Sequence, residues 1–221
     1  MLTSQTKGVL LQLGSPSLSL WVRAGGVSEP GLRADTQRTY RQLATRAPWP
    51  DQHVNRVILV FLVLPMAALY TVLRERGRTE QQALEVVTDA VGAVVVGPER
   101  RVIRMLVSTD LGRRLIVRAE ASAAGALLAL GAPTWEATFI ERSEHRMALD
   151  VTRCYIRDTL SQLDAAPAVV AMCSHDISAF ADLSSQLRLS RTGTLGTGAD
   201  RCDFCLEVLP AKPRRAAHQG G

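Results

Sequence analysis

The side chains best suited to chemistry are four cysteines, Cys154, Cys173, Cys202 and Cys205, all in the last third of the chain. Cys173 and Asp176 lie three residues apart in a largely apolar stretch. On a helix that spacing puts both side chains on one face. A neighbouring carboxylate does not activate a thiol, since its negative charge disfavours the thiolate. It can, however, orient a water or hold a proton for a substrate nitrogen. The plainer alternative is a small buried cysteine beside a capping aspartate. His175 is adjacent in sequence but points elsewhere on an ideal helix. Cys154 ends a segment in which Asp150, Thr152 and Cys154 alternate onto one strand face, either a polar site wall or a solvated surface. Cys202 and Cys205 have the Cys-x-x-Cys spacing of zinc and redox sites. On a strand, positions three apart face opposite ways, and no second pair stands at ligand spacing. The expectation is therefore no metal, with Cys205 an ordinary core residue. Arg191 is suited to bidentate recognition of a carboxylate, or is an edge arginine. The segment from Arg191 to Gly198 lacks the Gly-Lys-Ser/Thr ending of a phosphate loop, and its glycines suit a hairpin instead.

These residues need elements to position them. Val57–Leu73 is apolar over about 17 residues, close to the lower limit of a bilayer span. Pro65 in its middle and Arg74-Glu75-Arg76-Gly77 at its end favour a buried core helix, with a membrane span as the alternative. Gly77 reads as a helix stop, and Thr79 with Gln82 as a capping box that opens the next helix. That helix covers Thr79–Val91 and runs toward Val96, where Gly97-Pro98 ends it. Further helices are expected over Glu99–Leu115, where Val102, Ile103, Leu106 and Val107 have helical spacing, and over the Ala-rich Ala119–Leu130. The period then changes. Trp135–Ile140 and Met147–Cys154 read as a hairpin, followed by helices at Ile156–Leu163 and Ala168–Phe180. Leu187–Leu195 and Cys202–Leu209 read as a second hairpin. Helices followed by antiparallel hairpins describe an α+β domain over residues 53–210.

Composition bounds the rest. The 221 residues are 47% hydrophobic but only 5% aromatic, so the core is built from Ala, Val and Leu. The formal charge of +5 is concentrated in residues 1–50, where Lys7, Arg23, Arg33, Arg38, Arg41 and Arg46 face only Glu29 and Asp35. No basic face with interleaved aromatics is visible, which excludes the usual nucleic-acid binder. Residues 1–52, rich in Ser, Gly, Pro and Arg, read as a poorly ordered basic leader, and 211–221 as a disordered tail. Gln12, Gly14 and Pro16 interrupt the only apolar run near the N-terminus, so no export signal is read. The expected compartment is the cytoplasm, with reduced thiols.

Three motifs in order carry a resemblance: Asp150-Val-Thr-Arg-Cys154-Tyr155, then Met172-Cys173-Ser-His-Asp176. The third is Leu189-Ser-Arg191-Thr-Gly-Thr194-Leu195-Gly-Thr-Gly198, leading into Cys202-Asp203-Phe204. Together they resemble the L-2-amino-thiazoline-4-carboxylic acid hydrolase family over residues 55–209, with fold similarity to vinyl-reductase-type domains. The resemblance implies N-terminal helices packed on an antiparallel sheet built from the two C-terminal hairpins. It further implies hydrolysis at a non-peptide C–N bond of a cyclic amidine, giving an N-carbamoyl amino acid, or a related tailoring step in natural-product biosynthesis. Carried over by motif, Cys173 is the candidate nucleophile, Asp176 and Asp203 are proton handlers, and Cys154 and Cys202 are further thiols of the site. Arg191 is the carboxylate anchor, joined by Thr194 and His175 in substrate binding. The implied partner is a small-molecule substrate, with no nucleic acid and no membrane. A cofactor and a homo-oligomer are left open. The competing reading is a non-catalytic module that binds a small ligand or a protein.

Overall fold

The structure, a computed structural model, describes residues 4–95, 100–181 and 183–210. The expected tail at 211–221 and the helix stop at Gly97-Pro98 lie outside the described residues.

The apolar stretch in the middle of the chain forms the central rod. Helix α3 (His53–Ile58), a π turn (Leu59–Val63) and α4 (Leu64–Glu75) run on as one helix. The amide of Leu64 bonds to the carbonyl of Leu59, five residues back. That widened turn comes just before Pro65, whose ring would otherwise collide with a carbonyl four residues earlier. The rod is long and apolar enough to cross a membrane, yet Leu59, Val63, Leu64, Met66, Leu69 and Leu73 are fully buried inside the protein. It ends as expected. Gly77 is left-handed (φ 84°), the Arg78 amide bonds to Leu73 O, and Thr79 and Gln82 exchange the reciprocal bonds of a capping box. Helix α5 (Glu80–Val95) follows.

The N-terminal residues correct the expectation of a poorly ordered leader. They form α1 (Ser4–Ala24) and α2 (Leu32–Arg46), with Leu18, Trp21, Leu32, Tyr40 and Leu43 buried against the rod. A Cβ on Gly14 would come within 2.4 Å of Tyr40 Oη and 2.5 Å of Val60 Cγ1, so glycine there permits the close approach. Arg76 ties the segment down, donating to Glu29 at 3.1 Å and Asp35 at 2.6 Å. Tertiary burial overrides a Ser- and Gly-rich composition.

The expected helix over Glu99–Leu115 is two. Helix α6 (Arg100–Val107) stops, Thr109 caps the next turn by accepting from Gly112 N at 3.0 Å, and α7 runs unbroken over Asp110–Gly131. Thr-Asp at the start of a helix is a stronger signal than the apolar period running across it.

Strands β1 (Glu136–Arg142) and β2 (Arg146–Arg153) form the first hairpin. Helices α8 (Tyr155–Gln162) and α9 (Val169–Ala181) follow, and then β3 (Leu187–Ser190) and β4 (Cys202–Val208) form the second pair. The sheet is antiparallel throughout, in the order β1-β2-β4-β3. The fold is thus α+β. On the central pair Met147, Leu149 and Val151 stand opposite Leu206, Phe204 and Cys202. Those six share one face, because alternate residues of a strand point the same way.

Candidate active site

That face forms the floor of a cavity of about 440 Å³. Helix α7 contributes Glu120, Ala123, Ala124, Leu127 and Leu128, a stripe with the i, i+3, i+4, i+7, i+8 spacing of one helical face. Helix α9 contributes Val169, Met172, Cys173 and Asp176 by the same rule. The rod adds Ile58 and Leu62, and Trp135 closes one end.

Three of the expected cysteines meet here. Cys173 enters from α9, as its spacing from Asp176 requires. Cys202 enters from β4 and accepts the Leu195 amide at 3.2 Å. Cys154 also lines the cavity, but not from a strand face shared with Asp150 and Thr152. It lies one residue past β2, at the N-cap of α8. The chain turns there, which rotates its side chain away from Asp150; Asp150 instead pairs with Arg201 at 3.3 Å on the other face. Burial pushes all three thiols up, Cys154 to about 11. The backbone amides of Arg157 and Ile156 beside the Cys154 sulfur oppose part of that rise. Thr194 bonds to the Cys173 thiol and Arg191 lies near it, and neither outweighs burial. These are neutral thiols, not standing thiolates.

Asp176 and Arg191 form the polar centre. Arg191 Nη1 lies 3.1 Å from Asp176 Oδ2, Nη2 donates to the Cys173 carbonyl at 2.6 Å, and the guanidinium rests 5.0 Å from the centre of the Phe204 ring. The Arg191 side chain is only 7% exposed. The expected carboxylate anchor is therefore already held by the protein's own groups. Desolvation raises the Asp176 carboxyl to about 6, against the downward pull of Arg191. Glu120 adds to the rise. Its own carboxyl, solvent-exposed at the cavity mouth, is also raised by the protein around it. Sequence reasoning missed Glu120, although its place in the α7 stripe was a visible signal.

Three expected site residues, Asp203, His175 and Thr194, stand outside the cavity lining. Asp203 points from the opposite face of β4, accepting the amides of Thr192 and Gly193, both at 2.9 Å, and the Thr192 hydroxyl at 2.6 Å. Those bonds lower its carboxyl to about 2, which unsuits it to moving protons. His175 lies one turn from Ala171 on α9, is buried like it, and does not line the cavity. Thr194 also stands behind the lining, capping the short 3-10 turn Leu195–Thr197 through the Thr197 amide. Cys205 faces away from the cavity and receives Arg146 Nε at 3.2 Å. Among the described residues, no group of three or more His, Cys, Asp or Glu is arranged to hold a metal ion.

A chamber with apolar walls, three neutral thiols and one carboxyl–guanidinium pair is the candidate site of this α+β protein. Residues 59–206 match the family model described as L-2-amino-thiazoline-4-carboxylic acid hydrolase, and the chain belongs to that family. The matched span takes in every lining residue except Ile58. Membership supports a hydrolase-like role. No curated protein and no solved structure matches the chain.

Proposed function

We propose that this chain hydrolyses a cyclic amidine, opening the ring at the carbon that bears the C=N bond. The observation that supports the reading is the convergence of Cys154, Cys173, Cys202, Asp176 and Arg191 on one largely apolar cavity. A carboxyl near 6 is mostly ionised at neutral pH, yet basic enough to accept a proton from an attacking water. For an aminothiazoline, the oxygen of water bonds to the ring carbon while one water proton passes to Asp176. The tetrahedral centre then collapses. The carbon–sulfur bond breaks, and the proton on Asp176 goes to the departing sulfur. As the carbonyl forms, the hydroxyl proton passes to the nitrogen of the former C=N bond, or to solvent where that nitrogen already carries a proton. The product carries a free thiol and a carbamoyl group. The neutral state of the three thiols favours water over Cys173 as the attacking group.

The test is turnover of L-2-amino-thiazoline-4-carboxylate and related aminothiazolines, read as released thiol, with circular dichroism confirming the fold of each variant. Asp176→Asn lowers kcat by about 10²–10⁴-fold, as expected for loss of a general base, and Cys173→Ser by far less. The reverse order would transfer the attack to the thiol. Ligand binding without turnover of any aminothiazoline would make the chain a binding module instead.

A further inference from the structure

Resting on the hydrolase reading, we infer that the cavity takes a cationic amidine heterocycle with an apolar substituent rather than a compact ring acid. Charge is the first argument. The charged side chains among the described lining residues are Glu120, Asp176 and Arg191, two carboxyls and one guanidinium. Arg191 has little left to offer an incoming anion. One terminal nitrogen is on Asp176, the other on the Cys173 carbonyl, and the plane lies against Phe204. A substrate carboxylate would meet Glu120 at the mouth and, among the described lining residues, no free cation inside, and a desolvated, unpaired carboxylate is costly. An amidine or isothiourea is basic and carries a proton at neutral pH. Its positive charge complements the excess carboxyl.

Size is the second argument. A bare aminothiazoline acid occupies roughly 150 Å³ at protein packing density, about a third of the 440 Å³ present. The remaining space is bounded by Leu62, Leu127, Leu128, Trp135 and Met172, surfaces that gain from covering apolar groups and cannot satisfy polar ones. The ring of the substrate sits against Asp176 and Cys173, and its substituent lies along α7.

The test separates binding from turnover. Isothermal titration compares benzamidine, a flat cationic amidine with no ring to open, with benzoate, its anionic counterpart. Benzamidine binds the full chain at least about tenfold more tightly than benzoate, and Glu120→Gln narrows that ratio by about fivefold, the scale of one partly exposed ion pair. Equal or tighter benzoate binding, or a ratio unchanged by Glu120→Gln, overturns the inference. In kinetics, 4-benzyl-2-aminothiazoline has the higher kcat/KM and the 4-carboxylate the lower. The opposite order overturns the inference and leaves the hydrolase reading intact. Selective benzamidine binding with neither ring opened leaves the charge selection standing and removes the hydrolase reading.

Discussion

Asp176 is pulled two ways, and the balance can be measured. Desolvation raises its carboxyl, Arg191 at 3.1 Å lowers it, and burial wins, leaving it at about 6 against an ordinary 3.8. The folded protein therefore holds this proton more tightly than the unfolded chain does. Its contribution to stability is fully present below about pH 4 and is lost as the pH rises through about 6. A gap of about 2 pH units, at about 1.36 kcal/mol per unit, is worth about 3 kcal/mol. The side chain is 29% exposed, and solvent screening brings the expected size nearer to about 2 kcal/mol. Asp176→Asn removes the titration but leaves Arg191 without its carboxylate. That second effect does not depend on pH in this range, so it offsets the comparison without tilting it. Urea unfolding of both proteins between about pH 4 and pH 7.5 should show the wild-type advantage over Asp176→Asn shrinking by about 2 kcal/mol as the pH rises. In kinetics, kcat/KM should rise with pH through about 6 in the wild type, and this limb should vanish in the variant. A stability difference that stays level, or grows with pH, would mean that Arg191 keeps the carboxyl ionised throughout. Asp176 would then be too weak a base for the proposed chemistry.

Two further perturbations probe the scaffold. Gly196→Ala places a Cβ 3.0 Å from both Cys173 Sγ and Val169 Cγ1, so it should destabilise by about 1–2 kcal/mol in thermal unfolding and depress turnover further by moving Cys173. Unchanged turnover would take Cys173 out of the reacting geometry. Trp21→Ala empties a fully buried site in α1 and should cost about 3–5 kcal/mol in urea unfolding; a loss under about 1 kcal/mol would show that the N-terminal helices are not integral to the core.

What was legible in the sequence was local and periodic. The Gly77 stop, the Thr79–Gln82 box and the shared face of Cys173 and Asp176 each depend on a few neighbouring residues, and each stands in the structure. The two N-terminal helices were not legible, because Leu18, Trp21, Leu32 and Tyr40 are diluted by Ser, Gly and Pro and show their purpose only against the rod. Asp203 was misplaced for a different reason. Treating Cys202-Asp203-Phe204 as one unit ignored strand parity, by which the middle residue must face away from its neighbours. Parity alone would have removed Asp203 from the cavity. The state of Asp176 could not be read at all, since desolvation depends on which helices and strands close over it.

Strand parity also explains what that tripeptide does. The chain from Arg191 to Leu195 carries the guanidinium into the cavity, and three consecutive residues of β4 hold it from both sides. Asp203, from the outer face, takes the amides of Thr192 and Gly193. From the inner face Cys202 takes the amide of Leu195, and Phe204 supports the Arg191 plane. Arg191 in turn bonds Asp176 and the Cys173 carbonyl of α9. Asp203 thus acts two steps from the cavity, through the loop and then through Arg191. A side chain fixed at both ends loses little freedom when a substrate arrives, which is the condition for an Asp176 carboxyl held in one orientation. The tripeptide is the clamp that positions the carboxyl–guanidinium pair of Asp176 and Arg191.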